Sequence, residues 1–415
     1  MSDSERKCRF GSYLAGLRRR TGKSQQQLAA QLCLLSGTQS VTRNEVSRWE
    51  RGTRSPEAWL PTLAQALSVP LADLQQAVAY ARGEESARPP GMLLTLAELL
   101  PPNDPLGRSL CHQGPRIGPS VVALLAGRVH GLRLADDVLS GGDLIAPAFR
   151  ELHKAVDLYR TAAFSEETGR GLLVQVGELS QIAGWVASDA GRPDDAEHAY
   201  RLGLSAARQA DDPMLVGNLA GSLAYHWSNN GRERDAADMA QAAVDESGPD
   251  AAPAARALFL DRVAWTQTRA GEPQAALRAL SEAHEALSAE GGRQAPPWAY
   301  WVSREELEVM DARVFTELHR PLRAVPLLTD VLSRYDTTHA RELALYRSWL
   351  AVALADANEP EQAAEEAQRI IELSGELSSD RTAARTRVVL KRLQPYAAVP
   401  EVRSVLAEHG HLLLT

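Results

Sequence analysis

The sequence predicts an all-α chain in which a five-helix head precedes a solenoid of stacked helix pairs. Three observations carry this. Apolar residues recur at helical spacing from Phe10 to Tyr80, between polar and Gly/Pro breaks. Between Ala183 and Leu280 the chain matches itself without gaps at a period of 40 residues. Charge divides at the same boundary: residues 1–82 hold 12 Lys+Arg against 6 Asp+Glu, and the remainder holds 33 against 47. The predicted organisation is a basic head over 1–82, a linker over 83–120 with one short apolar helix, and an acidic repeat body over 121–415.

In the head, Phe10, Tyr13, Leu14 and Leu17 lie on one side of a helix that ends at Arg18-Arg19-Arg20-Thr21-Gly22. Ser24 and Gln27 stand in the S-x-x-Q capping relation and start a second helix through Leu32. A polar loop follows over Cys33–Val41. Thr42 caps the third helix, "RNEVSRWE", in which Val46 and Trp49 form an apolar seat while Arg43, Asn44, Ser47 and Arg48 spread over the opposite face. Pro56, Pro61 and Pro70 sit near the starts of two more helices, where a missing N–H costs nothing. The linker is rich in Pro and Gly apart from "MLLTLAELL" at 92–100.

A chain of 415 residues with 44% hydrophobic and 24% charged residues is long enough for two or three domains or a repeat array. No stretch of eighteen uninterrupted apolar residues occurs, and MSDSERKCRF has no apolar signal core. The expectation is a cytoplasmic protein with no membrane partner. Cys8, Cys33 and Cys111 lack ligand or disulfide spacing and read as ordinary thiols.

The head resembles the XRE/Cro-type helix-turn-helix domain of bacterial repressors. The resemblance rests on Gln25 and Leu28-Ala29, on Val46-Ser47-Arg48-Trp49-Glu50-Arg51-Gly52, and on Leu60-Pro61-x-Leu63-Ala64-x-Ala66-Leu67. It departs from the family where Cys33 replaces a glycine and about seven residues, Leu34 to Ser40, are extra. The resemblance implies double-stranded DNA as partner, with Arg43, Asn44, Ser47 and Arg48 facing bases and Gln25, Arg51, Thr53 and Arg54 facing phosphates. Such chemistry suits a major groove, because Arg bonds both guanine acceptors and Asn does likewise on adenine. The resemblance also assigns Glu50 to an internal pair with Arg18, while Leu17, Leu28, Val46 and Trp49 read as core.

In the repeats, Gly191, Gly231 and Gly271 mark the turns, with Ala196, Ala236 and Ala276 five residues on. Weaker continuations surround His319 and Asn358. This resembles the tetratricopeptide repeat, in which stacked units leave a groove lined by the first helix of each. The resemblance places Trp185, Tyr225 and Trp265 in that groove, with Glu178, Gln181, Ser188, Asp189, Asn218, Asn229, Asp261, Arg269 and Arg313. Two readings of the aromatic trio stand: a ligand floor or repeat-to-repeat core. "PPWAYW" at 296–301 interrupts the period, as a groove wall, a subunit contact or a filled gap.

The combined architecture is similar to quorum-sensing regulators of Gram-positive bacteria, which implies a homodimer on an inverted-repeat operator and a peptide or small-molecule effector in the groove. An alternative is a DNA-tethered scaffold for a protein partner. No enzymatic role, cofactor or metal is expected. "TGKS" at Thr21 lacks the phosphate-loop glycine, since Leu17 stands there, and neither Gly141-Gly142 nor Gly291-Gly292 follows a strand. His153, His198, His226 and His284 lack ligand partners at helical spacing.

Overall fold

The computed structural model describes residues 3–84, 114–136, 139, 141–248, 250–289, 294–334, 340–375 and 380–413. Among these residues the regular structure is nineteen α-helices and four 3-10 turns. Contacts divide the chain into two compact units, Met1–Glu98 and Leu99–Thr415. The apolar segment expected as a linker helix, 92–100, lies outside the described residues, as does Cys111.

The head comprises α1 (Asp3–Arg20), α2 (Gln25–Ser36), α3 (Arg43–Glu50), α4 (Leu60–Leu67) and α5 (Leu71–Ala81). Helix α1 begins about two turns before Phe10, because Glu5, Arg6, Lys7 and Arg9 are good helix formers with no Gly or Pro among them. Phe10, Leu14, Leu28, Leu32, Val46, Trp49, Leu63 and Leu74 are buried together at its centre. Each such side chain contributes on the order of 1.5–3 kcal/mol by leaving water.

Two glycines let α1 cross the end of α3 backbone to backbone. A Cβ on Gly11 would overlap the Glu50 carbonyl, and one on Gly52 would overlap that of Lys7; Gly52 also takes φ +67°. The Ser24–Gln27 capping box forms in both directions, at 3.2 and 2.8 Å.

The expected end of α2 at Leu32 needs correction. The helix runs one turn further, to Ser36, and stops at Gly37 with φ 68°. Several of the extra residues therefore lengthen the helix. The loop that remains is pinned by hydroxyl contacts Ser36–Thr38 (3.0 Å) and Thr38–Ser40 (2.9 Å), and by the Cys33 thiol donating to the Val41 carbonyl at 3.2 Å.

The second unit opens with α6 (Pro119–Asp136) and α7 (Gly141–Thr161). Five helix pairs follow: α8 (Glu166–Asp189) with α9 (Pro193–Gln209), α10 (Pro213–Asn229) with α11 (Glu233–Ser247), α12 (Pro253–Arg269) with α13 (Pro273–Ser288), α14 (Arg304–Glu317) with α15 (Pro321–Arg334), and α16 (Ala340–Asp356) with α17 (Pro360–Gly375). Then come α18 (Asp380–Leu393) and α19 (Pro400–His409). First helices of consecutive pairs pack on one another, so they form the inner layer.

Each pair turns through a left-handed residue: Gly191, Gly231, Gly271, His319 and Asn358 all have positive φ. The pairs close tightly because Ala196, Ala236 and Ala276 are fully buried, and a Cβ on Gly184 would come within 2.6 Å of the Tyr200 ring. Between Gly271 and His319 the spacing is 48 residues, and the excess holds the 3-10 turn Pro297–Ala299.

Candidate nucleic-acid interface and repeat groove

Helix α3 is held from one side and open on the other. Val46 and Trp49 are buried, and Trp49 sits 6.5 Å from Trp59, ring to ring. Beneath the helix, Glu50 accepts two bonds from Arg18, at 2.6 and 3.0 Å, as the sequence suggested. Hydrogen bonding to that carboxylate holds the Arg18 guanidinium above even its usual high pKa. Thr42 caps the start, accepting from the Glu45 N–H at 3.3 Å.

On the open face, Arg43, Asn44 and Arg48 are exposed and Ser47 half-buried. The side chains of Arg43 and Asn44 make no hydrogen bond to any described residue. Arg48 instead donates to Glu45 at 3.1 Å, and Arg54 donates to the other oxygen of the same carboxylate at 2.9 Å. Both arginines are more than half exposed, so these pairs are weak and exchangeable.

Of the residues assigned to phosphates, Arg51, Thr53 and Arg54 are exposed and Gln25 is half-buried, and all four have partners within the head, Arg51 donating to the Ser47 carbonyl at 3.2 Å. Thr53 closes α3 with its hydroxyl donating to the Arg48 carbonyl at 3.0 Å. Gln25 donates through Nε2 to Glu50 at 2.7 Å, so one of its two amide protons is already used.

Residues 9–77 match the helix-turn-helix domain family. The head is therefore a helix-turn-helix DNA-binding domain. No curated protein matches the chain.

In the second unit the aromatic trio forms a ladder across the inner layer. Ring centroids lie 5.9 Å apart for Trp185–Tyr225, 6.1 Å for Tyr225–Trp265 and 5.7 Å for Trp265–Trp349. Arg313 from α14 lies 4.6 Å over Trp265 and donates to the Tyr225 hydroxyl at 2.8 Å. Tyr225 and Trp265 are buried, and they join neighbouring repeats. Trp185 is half-buried and alone of the three lines open space.

That open space is a cavity of about 490 Å³ along the inner helices. Of the groove residues anticipated, Gln181, Trp185, Asn218 and Arg313 line it. The others sit elsewhere, for reasons that spacing alone does not carry. Asn229 and Arg269 occupy the turn ends of their helices, where Asn229 donates to the Tyr225 carbonyl at 3.0 Å and Arg269 pairs with Glu317 at 3.3 Å. Asp261 is buried behind the lining, and burial pushes its carboxyl above the usual range. Glu178 is taken by Arg133 at 2.9 Å, Asp189 accepts the Gly141 N–H at 3.1 Å, and Ser188 contacts His226 at 3.2 Å.

The cavity also brings in residues that the repeat phasing missed: Arg133, Ser222, Arg262 and Tyr346, with Trp298, Tyr300 and Trp301 of the "PPWAYW" segment as one wall. Trp298 anchors that wall, its ring tilted against that of Phe259 at 6.0 Å. A signal for Arg262 exists in the sequence, since it occupies the same place in its repeat as Ser222 does 40 residues earlier. Among the described residues no cluster of His, Cys, Asp or Glu could hold a metal ion, and no helix is long and apolar enough to cross a membrane.

Proposed function

We propose that this chain is a sequence-specific transcriptional regulator of the XRE type whose tetratricopeptide-like body responds to a ligand. The observation that carries it is the recognition helix: a buried seat of Val46 and Trp49, with half-buried Glu50 bonded to Arg18, fixes α3, while Arg43 and Asn44 stand exposed with no partner among the described residues. A fixed helix with uncommitted Arg and Asn at its N-terminal end has the donor pattern needed to read guanine and adenine edges. Arg48 joins them by exchanging Glu45 for a base, Ser47 lies between, and Gln25, Arg51, Thr53 and Arg54 flank the face toward phosphate.

The functional unit is a homodimer on an inverted repeat, with half-sites about one helical turn, roughly 34 Å, apart. A peptide or small molecule in the inner-layer cavity favours one arrangement of the paired heads over another, and must discriminate them by a few kcal/mol to matter. Selection of genomic DNA fragments by the full-length protein tests this reading. An inverted repeat recovered by the wild type and lost with Arg43→Ala or Arg48→Ala supports it. Salt-sensitive binding without a motif would mean that the head only neutralises phosphate.

A further inference from the structure

We infer that the inner-layer cavity takes a small organic mono-anion, a carboxylate on a flat apolar body, with Arg262 as its charge partner and Asn218 and Ser222 as hydrogen-bond donors. The inference rests on the ligand-responsive reading above and names the chemistry of the ligand.

Among the described residues Arg262 is the buried cation of the cavity whose guanidinium makes no hydrogen bond; it lies 4.6 Å over the Tyr225 ring. It is only 6% exposed and lines the cavity. The carboxylate beside it, Asp261, stays 3.6 Å away, and its Oδ2 has no hydrogen-bond partner among the described residues. Burial pushes the Asp261 carboxyl above its usual range and the Arg262 guanidinium below its own, as both charges are poorly compensated. The other buried cations of the cavity each hold a hydrogen-bonded partner, Arg133 with Glu178 at 2.9 Å and Arg313 with the Tyr225 hydroxyl at 2.8 Å, while Arg133 Nη2 and Arg313 Nε have none among the described residues.

Two further polar groups point the same way. Asn218 and Ser222 are one turn apart on α10, both nine-tenths buried, both lining the cavity, and neither side chain is hydrogen-bonded to a described residue. A buried guanidinium, amide and hydroxyl that line one cavity without a hydrogen bond to any described residue are what a carboxylate would satisfy. The walls, Trp185, Leu258, Trp298 and Trp301, suit a flat apolar body, and about 490 Å³ falls within the roughly 300–1,000 Å³ of small-molecule sites. Asp136, Glu305, Glu306 and Glu342 also line the cavity and disfavour a polyanion such as a nucleotide.

The test uses the full-length protein and two fluorescent probes, anilinonaphthalene sulfonate and phenylnaphthylamine, which differ by the anionic group. Expected is saturable sulfonate binding that naphthoate displaces, weakened roughly ten- to hundred-fold in Arg262→Gln while phenylnaphthylamine binding stays within about two-fold. Asn218→Ala, which leaves the charge in place, should weaken the anion several-fold, and serves if Arg262→Gln does not fold. Equal affinity of both probes for the wild type, or anion binding unchanged in both variants, would overturn the inference. Operator affinity with and without naphthoate separates the two proposals: an Arg262-dependent site whose occupation leaves DNA binding unchanged would keep the anion site and contradict the sensor reading.

Discussion

Arg43 and Glu45 divide the recognition face into an open part and a held part. Arg43→Ala should cost about 1–3 kcal/mol of operator binding and relax preference at one base pair, read by competition among single-base operator variants. Glu45→Gln releases Arg48 and Arg54 together. Affinity for duplex DNA should then rise, and the salt dependence should steepen by about one phosphate contact, that of Arg54. In the second unit, Asp311 meets His284 at 2.8 Å, and burial pushes its carboxyl up to about 6. A carboxyl whose folded pKa lies above its unfolded value binds more protons when folded, so its contribution to stability falls as pH rises from about 4 through about 6. Asp311→Asn should therefore raise the melting temperature at pH 8, by an amount equivalent to about 1–2 kcal/mol, with the gain fading below pH 6.

At the scale of elements, the crossing of α1 and α3 depends on two positions without side chains. Gly11→Ala should place a methyl group against the Glu50 carbonyl and destabilise the head by about 2 kcal/mol or more, seen as an early unfolding step together with lost DNA binding. That crossing was not legible in the sequence, since glycine inside a helical pattern signals only a weak helix until its neighbour is known. The caps were legible: Ser24, Gln27 and Thr42 act through local bonds that spacing alone defines. The repeat turns were legible at Gly191, Gly231 and Gly271, and less so at His319 and Asn358, which adopt the same left-handed backbone without being glycine. Spacing placed Trp185, Tyr225 and Trp265 on one face but gave no depth, so it left floor and core undivided; ring packing and Arg313 decide that only Trp185 meets open space. Arg262 escaped because the phasing selected its neighbour Asp261, one residue away and turned behind the lining.

At the scale of the whole molecule, a basic DNA-binding head precedes an acidic repeat body of opposite formal charge. Formal charge therefore favours phosphate contact at the head over the rest of the chain. A cavity ligand that stabilises the body should raise the melting temperature of the purified full-length protein with a logarithmic dependence on its concentration. The central claim, however, is that the exposed face of α3 reads sequence. The most direct measurement compares Arg43→Ala with Arg51→Ala on a selected operator and on a scrambled duplex of equal length, across a salt series. The account predicts that Arg43→Ala weakens the operator and leaves the scrambled duplex nearly unchanged, while Arg51→Ala weakens both alike and lowers the salt slope by about one. Equal losses on both duplexes for Arg43→Ala would show that this face neutralises phosphate without reading bases.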